Sequence, residues 1–146
     1  MTVALPDLAA TARLGAAIAA RLARGDAVLL KGDLGSGKTT LARAILAALE
    51  VSENVPSPTF TLVQAYETPH LMVSHYDLYR LKHDSELEEL GLDEALEQGA
   101  ALIEWPERAQ GRMPTDALTA SLAADQERRA VLEGPARWKT LEEVYV

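Results

Sequence analysis

Apolar residues recur every four positions at Leu14, Ile18 and Leu22, behind an Asp7 suited to cap a helix. The chain is therefore predicted to open with a helix running to about Arg24 and stopped at Gly25. The pattern then changes. Ala27-Val28-Leu29-Leu30 is an unbroken apolar run, as expected of a strand buried on both faces, and helical spacing returns at Leu41, Ile45 and Leu49. Thr59 to Tyr66 and Leu71 to Tyr76 are β-rich, and the short Glu67-Thr68-Pro69-His70 between them predicts an antiparallel hairpin whose second strand delivers Asp77. Ser85 with Glu88 three positions later predicts a capping box, opening a short acidic helix that Gly91 stops. Leu92 to Gln98 adds another turn or two. Ala100 to Trp105 reads as a buried strand ending in Glu104 and broken by Pro106. Leu118 to Ala123 and Arg129 to Leu132 are candidate strands to finish an α/β sheet, and Trp138 to Val146 is either a final helix or a tail.

A length of 146 residues fits one domain, placed at 1–134 with a C-terminal tail over 135–146. Cysteine is absent, which excludes disulfides, cysteine nucleophiles and thiolate zinc sites. No stretch approaches a membrane span and no leader pattern opens the chain, so a cytoplasmic protein without membrane contact is expected. The net charge of −8 argues against gripping nucleic acid directly, because that requires clustered Lys and Arg. The acidic run Glu86, Glu88, Glu89, Asp93, Glu94 and Glu97 is either a solvated helix surface or a face for a basic partner.

Chemistry concentrates in Gly32-Asp33-Leu34-Gly35-Ser36-Gly37-Lys38-Thr39, which matches G-x-x-x-x-G-K-[ST]. Glycines let backbone N–H groups approach phosphate oxygens, the lysine sits between the β- and γ-phosphates, and the threonine hydroxyl ligates magnesium. The helix that follows points its positive end at the anion. Chance alone would give such a match in about 0.5% of chains this long. Magnesium needs further oxygen ligands, and Asp77 and Glu104, at the ends of two predicted strands, are the candidates. The alternative is that each caps the next helix or pairs with Arg80 or Arg108. His75 reads as a polar neighbour rather than a catalytic base, and Phe60, Tyr76 and Tyr79 as packing.

Together with Ser57-Pro58-Thr59-Phe60-Thr61-Leu62-Val63, His75-Tyr76-Asp77-Leu78-Tyr79-Arg80 and Ile103-Glu104-Trp105-Pro106-Glu107, the loop resembles, in order and spacing, the TsaE (YjeE) family of small bacterial ATPases. The resemblance covers about residues 7 to 132. It implies a P-loop NTPase fold with a mainly parallel central sheet flanked by helices. It also implies an ATPase, weak alone, that is required for threonylcarbamoyladenosine modification of tRNA beside the anticodon and hydrolyses ATP when docked on the TsaD–TsaB complex. The tRNA would be contacted mainly through those partners. Carried over by position, Gly35, Ser36, Gly37, Lys38, Thr39 and Thr40 contact the phosphates of ATP, and Thr39 and Glu104 hold Mg2+. Asp77 is the Walker B-like aspartate, and Thr59 is a switch-like threonine near the γ-phosphate; with Lys38 and Glu104 they form the implied catalytic set. Trp105 lies beside the site, Arg128 reaches the nucleotide, and the segment from Leu8 to Thr11 flanks the adenine.

Three other classes share the phosphate loop. A small metabolite or nucleoside kinase needs an arginine-bearing lid, yet only Arg43 and Arg80 lie between Thr39 and Glu104. A GTP-dependent switch generally carries Asn-Lys-x-Asp, which does not occur. A non-enzymatic module would bind nucleotide only to order its structure.

Overall fold

The computed structural model describes residues 1–51 and 62–145. In chain order its elements are β1 (Thr2–Ala4), α1 (Leu8–Ala19), β2 (Ala27–Lys31), α2 (Lys38–Ala48), β3 (Val63–Glu67), β4 (Met72–Asp77), α3 (Glu86–Glu89), α4 (Leu92–Gln98), β5 (Gly99–Glu104), β6 (Leu118–Ala123) and β7 (Arg129–Glu133). Two 3-10 segments, Pro106–Arg112 and Ala136–Tyr145, complete it.

The strands form one seven-stranded sheet in the order β1-β7-β6-β2-β5-β4-β3. Its centre, β6-β2-β5-β4, is parallel, and β3, β7 and β1 add antiparallel edges. This is the expected α/β arrangement, and β3 with β4 is the predicted hairpin. Side chains alternate between two cores. Val28, Leu30, Val73, Ala100 and Leu102 face α1 and α2, whereas Ala27, Leu29, Tyr76, Ala101 and Ile103 face α3, α4 and the 3-10 segment after β5. Unbroken apolar sequence in β2 and β5 follows from having helices on both sides.

Gly15 lets α1 and α2 meet, since a Cβ there would lie 2.6 Å from the Ala44 methyl. Leu14, Ile18, Leu41 and Ile45 are fully buried across this contact, each stabilising the fold by about 1.5–3 kcal/mol.

Three local expectations need correction. The first helix ends at Ala19, not near Arg24: Arg21 and Leu22 N–H groups turn back to the carbonyls three residues earlier, tightening the chain toward β2. The capping box is absent, because Ser85 is itself helical and makes no side-chain cap, while Glu88 pairs with Arg112 and Glu86 Oε1 accepts the His83 N–H at 3.1 Å. The first hairpin strand, expected over 59–66, is observed at Val63–Glu67; residues 52–61 lie outside the described residues. Of the two readings of the last segment the helical one holds, as a 3-10 helix at Ala136–Tyr145, and Trp138 and Leu141 bury in the larger core. Among the described residues no helix is long and apolar enough to cross a membrane.

Candidate functional site

Strand register gathers the chemistry at one end of the sheet. Leu30 of β2 pairs with Glu104, and Glu104 pairs with Asp77, so the loop after β2 and both carboxylates emerge together at the carboxyl ends of the parallel strands. Open α/β sheets bind ligands there, where successive strands pass to opposite sides of a central one. Here β5 and β6 flank β2.

Two glycines shape the loop. At Gly32 (φ +141°) a Cβ would lie 2.5 Å from the Leu122 carbonyl oxygen and 2.5 Å from Ser36 Oγ. Gly37, at φ +109°, occupies the left-handed region and precedes the first turn of α2. Arg128 Nη1 straps the loop from outside, donating to Ser36 O at 3.1 Å and Gly35 O at 3.4 Å.

Lys38 is buried, and its Nζ donates to Gly32 O at 2.6 Å and Asp33 O at 2.9 Å. The ammonium also lies 4.1 Å from the ring centroid of Trp105, which sits in the left-handed region (φ 59°, ψ 50°) and meets the Tyr79 ring at 4.9 Å with the two planes tilted by 50°. Burial pulls the Lys38 pKa down, and the carboxylates of Glu104, Glu107, Asp77 and Asp33 oppose that pull.

Glu104 is 2% exposed and both its oxygens are occupied. Oε1 accepts from Thr39 Oγ1 at 2.8 Å, and Oε2 lies 2.6 Å from His75 Nε2. Asp77 Oδ1 accepts from the Tyr79 N–H at 3.1 Å. Burial pushes the Asp77 carboxyl up, and the Tyr79 N–H moderates the shift. Among the described residues neither carboxylate pairs with Arg80 or Arg108, and neither caps the next helix: Asp77 Oδ1 holds the Tyr79 N–H in the turn after β4, whereas that helix begins only at Glu86.

A cleft of about 620 Å³ opens over these groups, within the usual range for small-molecule sites. Leu8, Thr11, Gly35, Ser36, Gly37, Lys38, Thr39, Thr40, Asp77, Glu104 and Arg128, all singled out from sequence, line it together with Trp105. Thr59 falls outside the described residues. Exposed Leu8 and Leu34 stand at its mouth, while Pro6, Tyr79 and Leu122 are wall residues that sequence reasoning missed. His75 is, as read, a polar neighbour and not part of the cleft wall, and the structure adds that its partner is Glu104. The alternation His75-x-Asp77 in a strand was the available signal, because positions two apart share a face.

The residues suit a magnesium polyphosphate. Ser36 Oγ is buried without a partner among the described residues, a donor that a phosphate oxygen would satisfy. Among those residues no group of three or more His, Asp or Glu is placed to hold a metal unaided. Magnesium at nucleotide sites takes one or two protein oxygens plus phosphates, which Thr39 and Glu104 fit.

Comparison with known proteins agrees with this architecture. The profile of threonylcarbamoyl adenosine biosynthesis protein TsaE matches residues 5–131. The tRNA threonylcarbamoyladenosine biosynthesis protein TsaE of Rickettsia bellii is 46% identical over 114 residues, 77% of this chain and 78% of that protein. The protein of the same name from Bacillus subtilis is 38% identical over 130 residues, covering 87% and 79%. A crystal structure of B. subtilis YdiB superposes with a TM-score of 0.78 at 29% identity, covering 99% of this chain and 93% of the other.

Proposed function

The chain belongs to the TsaE family of tRNA threonylcarbamoyladenosine biosynthesis proteins, and on that premise we propose that it hydrolyses ATP, with Mg2+, while docked on the TsaD–TsaB complex that modifies tRNA. The observation that carries this reading is the Thr39–Glu104–His75 hydrogen-bonded chain at the base of a glycine-rich loop. It builds a rigid, negatively charged oxygen site where a magnesium-bound triphosphate tail would end.

In this reading the phosphates lie against the first turn of α2, where unpaired backbone N–H groups and the helix dipole favour an anion. Lys38 is held in place by the loop carbonyls and supplies the positive charge. Thr39 and Glu104 would hold Mg2+, which would supply charge neutralisation for the polyphosphate. Both Glu104 oxygens are already fixed, which suits a metal ligand better than a proton acceptor. Asp77, whose Oδ1 accepts the Tyr79 N–H, is left to orient the water. Attack by that water on the γ-phosphorus breaks the bond to the bridging oxygen and releases ADP, inorganic phosphate and a proton.

Among the described residues Arg128 is the sole arginine lining the cleft, and it is engaged with the loop backbone. Turnover alone is therefore slow, and the partners complete the charge stabilisation. The kinase alternative would need several arginines closing over the phosphates.

The test compares ATP hydrolysis and tRNA modification with purified TsaD and TsaB, using wild-type protein and Lys38→Ala. Partner-stimulated hydrolysis in the wild type, with a loss of at least a hundredfold in the variant, is expected. Tight binding without turnover in the presence of the partners would leave a nucleotide-ordered module in place of an enzyme. Modification that proceeds equally well with the variant would refute the role given to ATP.

A further inference from the structure

We propose that His75 is a positioning residue for the metal site: its Nε2–H fixes Glu104 from below, so that the carboxylate presents one orientation to a divalent cation. This inference rests on the magnesium–nucleotide reading of the cleft.

His75 is completely buried, is absent from the cleft wall, and touches no solvent through which it could act on a substrate. It lies on β4 opposite Leu102, on the sheet face that also carries Asp77, Leu102 and Glu104. Its same-face neighbours Val73, Ala100 and Leu102 are apolar. An imidazole placed there costs desolvation free energy that a leucine or methionine would not. A single polar contact offsets the cost, the 2.6 Å approach of Nε2 to Glu104 Oε2; Nδ1 has no partner among the described residues. A carboxylate oxygen accepts, so Nε2 carries the hydrogen.

The need for such a contact follows from the other donor. Glu104 has three rotatable bonds, and its second oxygen is held by Thr39 Oγ1. That hydroxyl faces the cleft and is itself a ligand in the proposed site, so it cannot alone define where Glu104 points. His75 supplies the restraint from the side that neither metal nor nucleotide reaches. Outer partners of this kind change metal affinity or activity by about 10–100-fold when removed.

Two substitutions of matched length separate donor from scaffold. His75→Gln keeps an N–H donor near the position of Nε2, and His75→Met fills the space without one. Mn2+ binding to the complex with a non-hydrolysable ATP analogue is read by electron paramagnetic resonance, and analogue affinity is measured separately in EDTA. His75→Met is expected to weaken Mn2+ binding about 10-fold or more while leaving analogue affinity in EDTA within about twofold, with His75→Gln recovering most of the loss. Equal Mn2+ affinity in the two variants overturns the proposal, as does a loss of analogue affinity in EDTA matching the loss of metal. Wild-type protein that binds the analogue in neither condition removes the underlying nucleotide reading itself, an outcome distinct from a defect confined to the variants.

Discussion

Thr39→Val exchanges a hydroxyl for a methyl group with little change of shape, and so tests the Thr39–Glu104 contact in isolation. It removes the donor 2.8 Å from Glu104 Oε1 and leaves the His75 contact to Oε2 intact. Hydrogen bonds to charged groups contribute about 1.5–3 kcal/mol. Thr39 is half-buried and lines the cleft, so water reaches the freed oxygen and the loss falls to about 1–1.5 kcal/mol. For a chain of this length that lowers the melting temperature by about 3–5 °C. Thr39→Ser retains the hydroxyl and loses one partly exposed methyl group, a change below about 0.8 kcal/mol. Scanning calorimetry in EDTA without nucleotide isolates this contribution, because ligand binding would otherwise add its own stabilisation. Magnesium titration of nucleotide binding then reads the second role: valine raises the half-saturating concentration about tenfold or more, and serine leaves it nearly unchanged. Valine protein that melts with the wild type, or serine protein that melts as low as valine, would show that the contact holds nothing in place.

Two further outcomes follow from buried titratable groups. Tyr76 donates to Leu90 O at 3.0 Å, and burial pushes its pKa up to about 12. The folded state therefore favours the protonated phenol, so its contribution is full below the ordinary value of 10 and is lost as pH rises toward 12, by at most about 3 kcal/mol. Tyr76→Phe should be less stable by about 1 kcal/mol at pH 9, with the gap narrowing by pH 11.5 in urea titrations; a gap independent of pH would contradict the burial argument. Asp77 has its pKa raised by burial, so its ionised form penalises the fold at neutral pH and the penalty disappears as pH falls through the raised pKa toward the ordinary 3.8. Asp77→Asn, which keeps the acceptor for the Tyr79 N–H, should melt above the wild type at pH 7.5, with the gap closing as the pH falls, while losing tenfold or more in ATP turnover. A variant that loses stability, or keeps full turnover, would refute that assignment.

The sequence by itself determined what contiguous residues encode. Eight consecutive positions spell the phosphate loop, the apolar runs at Ala27–Leu30 and Ala100–Ile103 require strands covered on both faces, and four spaced motifs identify the family. These signals are local, since backbone preference and side-chain periodicity act over a few residues. Tertiary structure alone decided which distant groups meet. His75 and Glu104 are 29 positions apart, and their 2.6 Å contact exists because β4 and β5 pair in one register; a shift by one residue would turn His75 into the opposite core. The same dependence hid β1, three residues long and held by its antiparallel register with β7, and put Glu88 against Arg112 where local sequence favoured a cap. Such contacts are set by the relative placement of whole elements, which no window of neighbouring residues contains.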